Sequence, residues 1–213
     1  MNDVNTRSYH HGNLRAELVR IGVALVAESG EQALALREVA RRAGVSASAV
    51  YRHFPGREGL RDAVREASRQ ALGRAVRGEL ERLAPSAPDT ERILAAGRGY
   101  FAFATGEPEL FGCLADGFAL GDGFGGQAFE AAVDGPVPEA PLPEDPFAAL
   151  VTLVARASGT RQRAGERAIA LWAAVHGIAV LCSRGALREL SERRKRELLE
   201  ATLRTAVHGV HAA

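Results

Sequence analysis

The sequence predicts an all-α chain: an N-terminal arm and three-helix helix-turn-helix unit over residues 1–56, then a larger helical part over residues 57–213. Three observations carry this expectation. The stretch Ala35 to Phe54 holds two short helices around a glycine turn. Segment after segment beyond it places apolar residues three and four apart. The chain's 213 residues, 46% of them hydrophobic, suffice to bury a sizeable core.

In chain order, Met1 to Gly12 reads as an arm carrying Arg7, Tyr9, His10 and His11. Such an arm can reach a minor groove, where the negative potential favours Arg, although a disordered terminus explains the same residues. Asn13 is placed to cap a first helix with Leu14, Leu18, Ile21 and Leu25 on one stripe, ending at Gly30. In the second helix Leu36, Val39, Ala40 and Ala43 share a face, with Arg37, Glu38, Arg41 and Arg42 largely opposite. Gly44 ends it, because glycine takes positive φ without a Cβ clash. Val45 then supplies an apolar plug and Ser46 an N-cap for the third helix. That helix turns Val50 and Phe54 inward and Ala47, Ser48, Ala49, Tyr51, Arg52 and His53 outward, and Pro55-Gly56 stops it.

A helix that is thin where it meets base edges, and basic or hydroxylated where it passes phosphates, fits a major groove. Ala47, Ser48 and Ala49 meet the first need; Tyr51, Arg52, His53 and Arg57 meet the second. A helical hairpin with a solvated charged face has the same spacing. The runs Leu36-Arg37-Glu38-Val39-Ala40, Ala43-Gly44-Val45-Ser46 and Val50-Tyr51-Arg52-His53-Phe54, with Leu60 beyond, resemble the DNA-binding signature of the tetracycline-repressor (TetR) family of bacterial transcription regulators. Tyr9 to Arg15 resembles the start of many members. The resemblance implies a homodimer on a palindromic operator, with Tyr51, Arg52, His53 and Arg57 at phosphates. Arg37, Ser48 and Tyr51 are the base-edge candidates, and Ala47 and Ala49 can offer apolar contact to thymine methyls. Two residues depart from the pattern: Ala35 replaces a frequent hydroxyl cap, and Ala49 a frequent hydroxyl.

Arg57 to about Leu83 reads as one long helix with Leu60, Val64, Ala67, Ala71 and Val76 inward, a natural lever out of the first unit. After the break at Ala84–Asp89, Asp89 or Thr90 is placed to cap a helix with Ile93, Leu94, Tyr100 and Phe101 as its apolar members. Glu107 and Pro108 open the next. The glycine-rich stretch Gly117–Gly126 lacks the strand and the Gly-Lys-Ser of a phosphate loop, and Asp134–Pro146, with five prolines, reads as a linker or lid. Asp145-Pro146 starts another helix. Ala168–Cys182 is apolar nearly all round, and the last helix presents Leu199, Leu203 and Val207 four apart; these two helices read as a subunit interface. Leu171-Trp172-Ala173-Ala174-Val175-His176-Gly177 resembles the Trp-His-Gly regulatory type of the same family. By that family resemblance the larger part binds a small-molecule effector, for which Tyr100, Phe103, Phe111, Phe118, Trp172 and His176 are the candidate contacts. A plain aromatic core accounts for the same residues.

Composition narrows the classes. Lys and Arg total 27 against 26 acidic residues, so the chain as a whole shows no nucleic-acid signature, but residues 1–57 hold eight Arg against five carboxylates. Lysine occurs once, at Lys195. Cys113 and Cys182 stand apart without metal-ligand spacing, and the two adjacent His lack a third ligand, so neither a metal nor another cofactor is indicated. The polar N-terminus lacks a signal core, and Ala168–Cys182 is short for a membrane span and contains His176, which points to the cytoplasm. Ser183, His176, Cys182 and Asp116 are nucleophilic-site residue types outside any catalytic motif, so an enzyme is not expected. A dimeric interaction module that has lost DNA binding is the alternative.

Overall fold

The structure is a computed structural model, which describes residues 14–118, 141–143, 145–159 and 163–211; the side chains of 115–118 and 209–211 are not included. The N-terminal arm, Asn13, the Phe118 side chain and most of the two proposed connections therefore lie outside the described residues. Among the described residues there are nine α-helices and no strand. They are α1 (Leu14–Ser29), α2 (Leu36–Ala43), α3 (Ala47–His53), α4 (Arg57–Glu81), α5 (Asp89–Gly106), α6 (Pro108–Phe118), α7 (Pro146–Ser158), α8 (Ala164–Ser183) and α9 (Glu192–His211). A 3₁₀ turn, Glu31–Ala33, joins α1 to α2. The chain divides into two compact units at Ala67 and Ser68.

In the first unit the local signals act as their chemistry requires. Gly44 caps α2 at φ 66°, and its N–H reaches back to the carbonyls of Ala40 and Arg41. Ser46 Oγ accepts from the Ala49 N–H at 3.3 Å, capping α3. Ala35, at the N-cap of α2, makes no side-chain cap bond. Leu18, Val26, Leu34, Val39, Val50, Phe54, Leu60 and Val64 are almost wholly buried. Each such side chain contributes roughly 1.5–3 kcal/mol relative to exposure. Leu60 and Val64 belong to α4, so the first turns of that helix are core of this unit, and the compact unit runs past the Pro55-Gly56 stop. The turn at Glu31 is held from a distance: Arg57 Nη2 donates to the carbonyls of Glu31 and Gln32 at 3.1 and 3.3 Å, and Arg65 Nη2 donates to Glu31 Oε1 at 3.3 Å.

In the second unit α5, α7, α8 and α9 pack on one another, and α6 lies against α5. The buried row of α4 is Ser68, Leu72 and Val76, continuing Val64 by steps of four, while Ala67 and Ala71 are half-buried. Four-residue steps advance 400°, which keeps one face turned inward over these turns. Gly99 lets α5 approach α4 closely: a Cβ there would lie 2.6 Å from the Ala75 carbonyl oxygen and 2.7 Å from Val76 Cα. The N-cap of α5 is Pro88, without a side-chain cap, and Asp89 and Glu91 occupy its first turn. Asp145 caps α7, accepting from the Ala148 N–H at 2.8 Å. Helix α8 is long and apolar enough by composition to cross a membrane. It packs against α5, α7 and α9, however, with Ala168, Leu171, Val175, Ala179 and Cys182 buried. Leu199, Leu203 and Val207 of α9 are also buried within the chain, so they are not the outward interface stripe that their spacing suggests. Arg98 of α5 grips Glu200 of α9 through two bonds of 2.6 and 2.9 Å.

Candidate nucleic-acid interface and aromatic cavity

On the first unit the cations sort by whether a carboxylate claims them. Glu38 binds Arg41 at 2.7 Å and Arg42 at 3.0 Å, and Glu28 holds Arg42 from α1 at 2.7 Å. The hydrogen bond from Arg41, then that from Arg42, brings the Glu38 carboxyl down to about 2. Arg37 and Arg52 are exposed and meet no carboxylate among the described residues. Tyr51, 48% exposed, stands beside Arg52 and the exposed His53. Ala47 and Ser48 are exposed too, and Ser48 Oγ lies 2.9 Å from Ser46 Oγ, which ties it to the cap.

Two candidates are placed differently from expectation. Ala49 is buried beside Val50 and faces the core instead of the outer surface. The reason is angular: adjacent helix positions are 100° apart, so the residue before an inward Val can still fall on the inner arc. Arg57 is exposed but uses Nη2 to staple α4 to the 3₁₀ turn, which leaves only its other N–H groups for a ligand. The sequence reading also missed Arg15, whose guanidinium sits 5.2 Å from the centre of the Phe54 ring. A cation over a ring has no fixed sequence spacing when its partner lies on another helix.

In the second unit four of the six effector candidates meet. Tyr100 Oη is 2.8 Å from His176 Nδ1, and the Trp172 ring stacks on His176 at 4.9 Å. Phe111 lies 5.7 Å from both Tyr100 and His176. Phe147 of α7, not singled out from sequence, meets Trp172 edge-on at 6.4 Å. Phe103 is buried but does not line the adjoining cavity, and the Phe118 side chain is outside the described residues. Burial pushes the Tyr100 phenol well above its ordinary range, and burial also lowers the His176 imidazole. A neutral imidazole accepting the Tyr100 O–H at Nδ1 carries its proton on Nε2. Beside this cluster lies a partly open cavity of about 50 Å³, with walls from α4, α5, α7, α8 and α9.

Residues 18–64 match the family described as bacterial regulatory proteins, tetR family, and residues 93–206 match the tetracyclin repressor-like C-terminal domain. No curated protein matches the chain. Among solved structures, a protein of unknown function from Rhodococcus sp. RHA1 is 27% identical, with a TM-score of 0.68 over 95% of this chain and 98% of its own. A TetR transcriptional regulator from Streptomyces coelicolor has a TM-score of 0.67 at 17% identity, covering 93% of this chain and 99% of that one. A tetR-family transcriptional regulator from the same organism reaches 0.61 at 19% identity, over 92% and 87%. At these identities the last two show a shared fold.

Proposed function

The chain belongs to the TetR family of bacterial transcriptional regulators, and from that premise we propose a cytoplasmic repressor that binds a palindromic operator as a homodimer and is released by a small-molecule effector. The observation that carries the DNA reading is the division of the arginines. Arg41 and Arg42 are held by Glu38 and Glu28, whereas Arg37 and Arg52, beside the exposed outer residues of α3, meet no carboxylate among the described residues. Arg37, Ser48 and Tyr51 read base edges in this proposal, with Ala47 against a thymine methyl. Tyr51, Arg52, His53 and Arg57 hold phosphates. Ala49 has no part in it, because it faces the core.

One such unit makes too few contacts for useful affinity; two related by a twofold axis read half-sites about one DNA turn apart, roughly 34–36 Å. The last two helices supply the dimer face, through residues other than the leucine stripe. Ala170 of α8 and Ala201 and Thr205 of α9 are exposed and small, which lets helices of a second copy approach closely, and the exposed Leu181 of α8 adds apolar surface to bury. The effector acts through the cavity beside Tyr100 and Trp172. Leu72 and Val76 of α4 line it, and α4 continues covalently into the first unit. An effector shifts the equilibrium only by its differential affinity for the two states.

The test is titration of the purified protein on a fluorescent duplex from its own promoter region and on a scrambled duplex, at two salt concentrations. A preference of about a hundredfold for the promoter duplex, within the range known for specific binders, is the expected result. Equal, weak binding to both would overturn the operator reading and favour a dimeric interaction module.

A further inference from the structure

We propose that the cavity between α4, α5, α7, α8 and α9 selects an uncharged, hydrocarbon-rich small molecule and rejects organic anions and cations; this rests on the effector reading above. Its walls are apolar throughout, with Leu72, Val76, Ile93, Phe147, Leu150 and Leu203 among them, and no charged side chain among the described residues lines it. The two wall side chains that carry polar atoms are Tyr100 and Trp172, and both are neutral. Tyr100 bonds His176 at 2.8 Å, and the Trp172 indole carries no charge. Arg98, on the same helix as Tyr100, is bound to Glu200. A charged ligand would therefore lose its hydration and gain no counter-charge, whereas an apolar one loses only unfavourable water contact.

The protein carries its own reporter, because Trp172 is the single tryptophan of the chain and lines the cavity. The full-length protein is titrated with three probes sharing one skeleton: butylbenzene, 4-phenylbutyrate and 4-phenylbutylamine. Butylbenzene is expected to change Trp172 emission saturably, with both charged probes at least about tenfold weaker because each must bury its charge unpaired. Ala96→Phe, which fills the space from its wall, removes the butylbenzene response while the melting temperature is kept; Leu150→Phe serves where that variant does not fold. Equal or tighter binding of either charged probe, or no saturable response to butylbenzene, overturns the assignment. Release of operator DNA is measured separately. If butylbenzene saturates Trp172 and the DNA complex stays intact, the cavity's selectivity stands and the effector reading fails.

Discussion

Arg37 and Arg41 sit one turn apart on α2 and are chemically the same, yet their surroundings give them different uses. Glu38 takes both terminal and inner nitrogens of Arg41, at 2.7 and 2.8 Å, so binding a base would first cost that pair. Arg37 has no such carboxylate to leave among the described residues. Arg37→Ala is accordingly expected to remove about 1–3 kcal/mol of discrimination between operator and scrambled duplex. Arg41→Ala is expected to leave that discrimination intact. Competition titrations of both variants check this, and a uniform loss of affinity with full preference kept in Arg37→Ala would reassign that residue to phosphate. His176 makes a second prediction at this scale. Burial lowers its folded-state value below the ordinary 6.5, so the unfolded chain binds the extra proton more readily. Stability is then fully present above the ordinary value and is lost as pH falls through the folded one. Melting temperature is expected to drop between about pH 7.5 and 5.5, and His176→Phe, which retains a ring beside Trp172, to flatten that step. A wild-type profile that rises toward acid there would contradict the sign.

Helices behave here according to their ends and closest approaches. Because α2 starts at Ala35 in an extended conformation with no side-chain cap, Ala35→Ser is expected to stabilise the first unit by about 1 kcal/mol, read from denaturant midpoints. Gly99→Ala should act oppositely. Its Cβ would meet backbone atoms of α4, which cannot swing aside as a side-chain tip can, so a loss of about 1–3 kcal/mol is expected for the second unit. A neutral result would mean that α4 and α5 can separate at no cost. Helix boundaries are legible in sequence wherever a local device makes them: Gly44 and Ser46 around the turn, Asp145 ahead of Pro146. Facing is legible for large residues such as Val50 and Phe54, and not for Ala49, because alanine suits either arc and only the neighbouring helices decide. The Glu31–Ala33 turn is illegible for a related reason: its restraints come from Arg57 and Arg65, some 26 and 34 positions onward. Likewise the stripe Leu199, Leu203, Val207 announces burial, but the sequence does not say whether the covering surface is the same chain or a second copy.

At the scale of the whole regulator, affinity for DNA has to come from a local surface, since 27 basic residues against 26 acidic ones leave a formal net charge of +1 and little long-range attraction. Binding should therefore depend on contacts made at the phosphates. Tyr51, Arg52, His53 and Arg57 supply four candidate contacts in each copy. Only the two arginines carry the charge that displaces counterions, so with two copies on the operator and about 0.9 counterion released per neutralised phosphate, log affinity is expected to fall against log salt with a slope of about −4. The staple on Arg57 makes the number divisible. Its Nη2 is spent on the Glu31 and Gln32 carbonyls, but the guanidinium keeps its charge and its remaining N–H groups. Arg57→Ala should then lower the slope by about 2, one contact per copy, and loosen the 3₁₀ turn as well. Arg57→Lys keeps the charge without the fork, so it should restore most of the slope and little of the turn's stability. The measurement is a salt series on each variant with the operator duplex, paired with a denaturant midpoint. A wild-type slope of about −2 would mean that one arginine per copy, not two, neutralises a phosphate.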